Sequence, residues 1–233
     1  MQIKRIFLGI VVAFTLNSCI NTIDGNGDVQ NEKRAVTSFN KIDISGGFEV
    51  LINQGNKEKV EIEADENLIN LIETEVKKNT LYISSKEPIG SAESLKLYIT
   101  TVNLNDIGAS GAINLTNKGT YKSENLEIEI SGAADIDLNL EVENLVMDMS
   151  GASETTLTGS ANNLDIEISG AGDLDAKKLK TKNTNINISG AGSAIVNVKK
   201  KLKVDVSGAG SVQYKGNPKI EESISGAGSV TKI

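Results

Sequence analysis

The tetrad Ser-Gly-Ala-x begins at Ser110, Ser131, Ser150, Ser169, Ser189, Ser207 and Ser225. Successive copies start 21, 19, 19, 20, 18 and 18 residues apart. Such regularity confines the chain to a repeat architecture, in which each unit buries its apolar face only by stacking on its neighbours. A related triplet, Ser45-Gly46-Gly47, lies well upstream.

Counting from each Ser defines the unit. Five, three and one residues before it stand Leu126/Ile128/Ile130, Leu145/Met147/Met149, Leu164/Ile166/Ile168, Thr184/Ile186/Ile188 and Leu202/Val204/Val206. This is the period-2 alternation of a half-buried strand. Five and seven residues after it, Ile136/Leu138, Thr155/Leu157, Leu174/Ala176, Ala194/Val196 and Val212/Tyr214 continue the same inward parity. Between the two strands Ser-Gly makes a corner, since Gly takes φ > 0 or lets a neighbouring backbone approach. The Ala that follows is expected to fill a site too tight for a larger side chain. A unit of about 19 residues with no helix in it reads as one coil of an all-β parallel β-helix, its coils about 4.8 Å apart.

The alternatives fail on period and composition. A propeller blade needs roughly forty residues, and the hairpin signals of an antiparallel sandwich are missing from this half of the chain. Gly170-Ala171-Gly172-Asp173-Leu174-Asp175 looks like half of a calcium-binding nonapeptide, but Asp173 becomes Ser at 193, 211 and 229. Aromatics are 3% of the chain and Trp is absent, so the core is built from Ile, Leu, Val and Ala, which suits thin layers. With no His, Ser-His-Asp and Cys-His mechanisms and His-ligated metals are excluded. A formal net charge of −7 argues against nucleic acid as a partner.

The N-terminus reads as an address. Lys4 and Arg5 precede an apolar run from Ile6 to Leu16, and Leu16-Asn17-Ser18-Cys19 resembles the cleavage site of bacterial lipoproteins. The run is too short for a span of roughly twenty residues. The expected organisation is a signal peptide over 1–18, a lipidated Cys19 with a polar tether over 19–34, and one β-helix domain over 35–233. Within that domain, 35–105 would hold N-terminal coils with a helical insertion, and 106–233 the Ser-Gly-Ala-x coils. The membrane is then a partner through the lipid on Cys19, and the protein is an exported outer-membrane lipoprotein, periplasmic or surface-facing.

Residues 41–50 (KIDISGGFEV) match a coil, and Val60–Ala64, Leu81–Ser84 and Leu95–Thr100 read as strands. Between them Leu68, Leu71, Ile72 and Val76 fall at helical spacing, with Asp65 as the N-cap. This insertion would cover the first coil.

Three surface features carry the site candidates. Glu127, Glu129, Asp148, Asp165 and Glu167 form an acidic column on the outward face, read as a solvated face with Ca²⁺ as the alternative. The column also gives the only basis for an enzyme, since glycoside hydrolysis needs paired carboxyls; sugar-stacking aromatics are missing. Lys177, Lys178, Lys180, Lys182, Lys199, Lys200, Lys201 and Lys203 form a basic column on the third side, read as solvated turns that discourage lateral strand pairing, with contact to acidic glycans or lipid head groups as the alternative. The corner residues Ser110, Gly111, Ser131, Gly132, Ser150, Gly151, Ser169, Gly170, Ser189, Gly190, Ser207, Gly208, Ser225 and Gly226 are structural. The last coil ends near Ile233 with no polar cap evident, so a homo-oligomer through that end is expected if the chain does not fold across it.

The lipoprotein start, the Arg34–Phe39 segment leading to the Ser45-to-Val50 corner, the block VEIEADENLINLIETEVKKNTL over 60–81 and the Ser-Gly-Ala-Gly coils together resemble the GIN-domain family of autotransporter adhesin heads. The resemblance covers 34–233, with residues 64–81 the specific part. It implies a right-handed parallel β-helix, an exported and often lipid-anchored protein, and an adhesin role with no catalytic residues attached. The reading is a non-enzymatic envelope lipoprotein without cofactor or metal, binding a glycan or a host or envelope protein. The alternatives are a carboxylate-based carbohydrate-active enzyme and a structural spacer.

Overall fold

The structure, a computed structural model, describes residues 21–233. The apolar run, the cleavage site and Cys19 lie outside the described residues. The fold is all-β, a solenoid of about six turns with 77% strand. β2 (Lys41–Gln54) makes the first coil, and β7 (Asp106–Lys118) lies parallel to it with Ser45 on Ser110. β8 (Tyr121–Gly170) runs on through two tetrads without a break and ends inside a third, so the strands pass through the corners. β9 (Asp173–Gly190), β10 (Ser193–Gly208), β11 (Ser211–Gly216), β12 (Lys219–Gly226) and β13 (Ser229–Lys232) complete the coils, all in parallel pairs: β9 on β8, β10 on β9, β11 and β12 on β10, and β13 on β11.

Register puts like on like. Ser110 pairs with Ser131, Ser189 with Ser207, and Ser207 with Ser225. The inward positions before and after each Ser are buried, with Ile128, Ile168, Val204 and Val212 almost wholly enclosed. Each such side chain contributes roughly 1.5–3 kcal/mol of transfer free energy.

The corner differs from expectation in one respect. Ser, Gly and Ala all face outward, and Ala133 and Ala152 are exposed. The tight position is the fourth of the tetrad: a Cβ on Gly192 would lie 2.6 Å from Ile168 Cγ2 and from the Gly172 carbonyl oxygen. Successive coils carry Ile113, Ala134, Ser153 and Gly172 there, so the corner narrows along the axis. The glycine second in the tetrad is a separate constraint. Gly151 has φ of 125°, in the region that favours glycine, and stacks directly on Gly132.

Residues 35–105 contain one coil, β2, and an antiparallel cap. β3 (Lys59–Asp65) lies between β1 (Val29–Arg34) and β6 (Leu95–Thr101), antiparallel to both, and β6 joins the upper edge of β2 over Glu49–Gln54. The edge of β2 over Lys41–Ile44 is taken by β5 (Thr80–Ser85). The outermost solenoid edge is thus covered, which protects it from pairing with other chains.

The expected helix shrinks to α1 (Glu66–Ile69). Ile72–Lys77 is strand β4, hairpinned onto β5 through Lys78 and Asn79, both at positive φ. The segment IETEVK also alternates with period 2, and the turn with Asn in the left-handed region selects the hairpin. Asp65 makes no side-chain cap on α1. Its carboxylate instead accepts from the N–H groups of Gly27 (2.5 Å), Glu93 (3.0 Å) and Ser94 (3.2 Å).

The tether is shorter than expected for the same reason. Ile23 bridges Ile89, and Val29–Arg34 is strand β1. Its polar composition suits an antiparallel edge strand exposed on one side, and that composition is what made it resemble a linker.

Candidate functional site

The third face of the solenoid holds a groove of about 950 Å³ that reaches from Asn103 to Asn217. It runs parallel to the axis, across the coils. Its floor is a column of small or apolar residues: Val142, Ala161, Thr181 and Val198, all buried. Each is flanked by outward residues of the same coil, which become the rims because a strand alternates its faces. The register pairs Ser160 with Lys180 and Ala161 with Thr181, then Lys180 with Asn197 and Thr181 with Val198.

The rims change character along the axis. Glu141 and Glu143 flank Val142; Ser160 and Asn162 flank Ala161; Lys180 and Lys182 flank Thr181. Lys199 follows on the next coil. At the acidic end Lys122 pairs with Glu141 at 2.7 Å, and the Asn162 amide donates to Glu143, which keeps its charge. Among the described residues, no ion pair involves Lys180, Lys182 or Lys199.

The basic column therefore divides. Lys177, Lys201 and Lys203 are held by Asp175, Glu221 and Asp205 and do not line the groove. Lys178 and Lys200 also stand outside it. The register slips between β9 and β10 fall at Val196/Asn197 and Val198/Lys201, which places Lys177, Lys178, Lys199 and Lys200 in or beside bulges. Asp175 is driven upward by burial, but the Lys177 ammonium and N–H beside it hold its carboxyl below the usual range.

The acidic column is brought together only in part. Glu127, Glu129 and Asp148 can place carboxylate oxygens within 4.8 Å of one another, while Asp165 and Glu167, one coil further, are not in that group. At the head of the column Lys41 pairs with Asp106 at 2.7 Å. The hydrogen bond and charge of Asp106 raise the Lys41 pKa, helped by Glu127 and Glu129.

The corner serines support the stack, as when Ser150 Oγ donates to the Ile130 carbonyl at 3.1 Å.

Two features escaped the sequence reading. Asn125, Asn144, Asn163 and Asn183, each six residues before a tetrad Ser, form a ladder of side-chain amides. Asn144 donates to Asn125, Asn163 to Asn144 and Asn183 to Asn163, all at 2.8 Å. The recurring Asn at one phase of the repeat was the available signal. The second feature is the terminal coil. Glu222 occupies the inward column above Ile186 and Val204, and Lys232 the column above Val196 and Tyr214. The end expected to lack a polar cap carries two charges at positions that are apolar one coil earlier.

The architecture is thus a parallel solenoid closed by an antiparallel cap, with one long groove crossing its coils. The sequence matches the family described as "Putative auto-transporter adhesin, head GIN domain" over residues 38–218, and the chain belongs to that family. A solved "putative adhesin" from Bacteroides fragilis is 26% identical, with a TM-score of 0.83, covering 91% of this chain and 100% of its own. A "putative lipid binding protein" and a "putative adhesin", both from Parabacteroides distasonis, are 20% and 22% identical, with TM-scores of 0.74 and 0.70; each covers 91% of this chain and 100% of its own. These last two likenesses speak to the fold alone. No curated protein matched.

Proposed function

We propose that the protein is an exported, lipid-anchored, adhesin-like binding protein, held to the outer membrane through Cys19 and acting without covalent chemistry. The observation that carries the binding role is the groove: a continuous trough across the coils, with an apolar floor and hydrogen-bonding rims. Its length suits an extended polymer lying along the axis. At Ser160, Ala161, Lys180, Thr181, Asn197 and Val198 the coils under it are paired in the parallel ladder, so a ligand there meets side chains, not free backbone groups. The adhesin names of the family and of the Bacteroides fragilis protein support the role. The lipoprotein signal supports the anchor.

Residues 21–233, which hold the cap and every coil of the solenoid, are the unit to express. A glycan and matrix-protein array probed with that unit tests the reading. Binding abolished by Ser160→Trp, which fills the groove from an exposed rim, supports it. Failure on every ligand, in cells whose envelope integrity depends on the protein, indicates the structural spacer instead. Mass spectrometry of the mature N-terminus decides the anchor: an acylated Cys19 is expected, and an unmodified one rejects it.

A further inference from the structure

We infer that the groove recognises an anionic polysaccharide, with sugar carboxylates or sulfates seated on Lys180, Lys182 and Lys199. The inference rests on the groove's being the binding surface proposed above. Three observations lead to it.

The first is the uncompensated charge. The whole chain carries a formal −7, yet these three ammonium groups, on adjacent coils, have no carboxylate partner among the described residues. Outside the groove Lys177, Lys201 and Lys203 are paired, while Lys178 and Lys200 make no ion pair among the described residues; only Lys180, Lys182 and Lys199 are both unpaired and gathered along the groove. Cations gathered at one end of a trough attract an anion, and charge-assisted hydrogen bonds are the stronger kind.

The second is the lining ahead of them. Ser160 and Asn162 offer hydroxyl and amide groups, as Asn197 does beside Lys199, and Glu141 and Glu143 accept hydrogen bonds about 10 Å, or two coils, before Lys180 and Lys182. Such a row satisfies the many hydroxyls of a sugar chain. An extended peptide along the axis would instead need partners for a backbone N–H and C=O every 3.3 Å or so, against a coil repeat of about 4.8 Å. That repeat is close to the length one pyranose adds to an extended chain.

The third is the absence of any aromatic residue from the lining. Neutral sugars are held largely by stacking on rings. Here charge has to provide the affinity.

The test is calorimetry on residues 21–233 with oligogalacturonate, a sulfated glycan, a neutral glucan oligomer and poly-glutamate. The expected result is binding of a charged glycan that weakens with salt, falls about tenfold or more in Lys180→Gln/Lys182→Gln/Lys199→Gln, and is lost in Ser160→Trp. The charge-matched control Lys177→Gln/Lys178→Gln/Lys200→Gln lies outside the groove and should bind as the native protein does. The carboxylated and sulfated arms say which anion is read. Equal loss in the control, equal binding of poly-glutamate, or no binding of either charged glycan overturns the inference. Neutral glucan binding that Ser160→Trp abolishes and the triple variant keeps overturns it while leaving the groove as the binding surface. Binding that survives Ser160→Trp overturns both.

Discussion

A Cβ on Gly151 would lie 2.4 Å from the carbonyl oxygen of Gly132, one coil away. The two glycines are steps in a column that passes up the whole solenoid, with Gly111 meeting Gly46 at the same 2.4 Å and Gly226 meeting Gly208. Backbone, not side chain, sets this limit, so it cannot be relieved by a rotamer change.

Gly151→Ala combines a left-handed φ, worth about 1–3 kcal/mol for a non-glycine residue, with a backbone clash. A loss of more than about 2 kcal/mol is expected from chemical denaturation. Gly47 provides the control. It occupies the outward third position, where other coils carry Ala, and the nearest atom to its Cβ is 4.0 Å away. Gly47→Ala should be neutral or stabilise by up to about 1 kcal/mol.

Asp65 binds three backbone N–H groups and joins the N-terminal segment to the cap. Burial pushes its carboxyl upward, but the N–H groups of Ser94, Gly27 and Glu93 outweigh that and leave it below its ordinary value of 3.8. A depressed carboxyl stabilises the fold fully above the unfolded value and loses that contribution as pH falls through the folded one. Hydrogen exchange over residues 23–34 should therefore rise only below about pH 4. Asp65→Asn should bring the same loosening at neutral pH and remove its pH dependence.

The asparagine ladder predicts an inequality. Asn144 makes two side-chain bonds within it and Asn125 makes one. Each is worth about 0.5–1.5 kcal/mol, towards the low end on a partly exposed face. Asn144→Ala should lower the thermal midpoint about twice as far as Asn125→Ala. Equal effects would show that the amides pair with water as well as with each other.

Glu222 and Lys232 bear on self-association. The outer edges of β12 and β13 are unpaired among the described residues, and Ile224 and Ile233 are 41% and 57% exposed there. An inward-pointing charge on an edge strand resists edge-to-edge pairing, because a second copy would have to desolvate it. Light scattering should give a monomer for residues 21–233 at low micromolar concentration. Glu222→Ile/Lys232→Val should associate, and a native dimer through this end would reject the argument.

Much of the solenoid was legible. Side-chain parity around each Ser is a local, period-2 property, and stacking identical units is the one way to bury it, so the inward residues follow from the text. The cap was harder. Leu68, Leu71, Ile72 and Val76 satisfy helical spacing, while IETEVK alternates as a strand; only the partner β5 decides between them. The same holds for Val29–Arg34, whose polar residues suit a linker until β3 pairs with it. In the candidate site, the basic column was visible but not its division, because ion pairing depends on which carboxylate the next coil supplies.

The sequence by itself determined the repeat, the β-helix, the inward columns and the glycine corner, since these depend on residue identity at a fixed phase and on the glycine-only region of φ. Tertiary structure alone decided the rest. Small drifts in coil length and register slips gather residues 17 to 20 positions apart on successive coils into one groove. They leave Lys180, Lys182 and Lys199 unpaired within it and set Glu222 and Lys232 at the end of the core. Those relationships run across coils, where distance along the axis, and not distance along the chain, determines what touches.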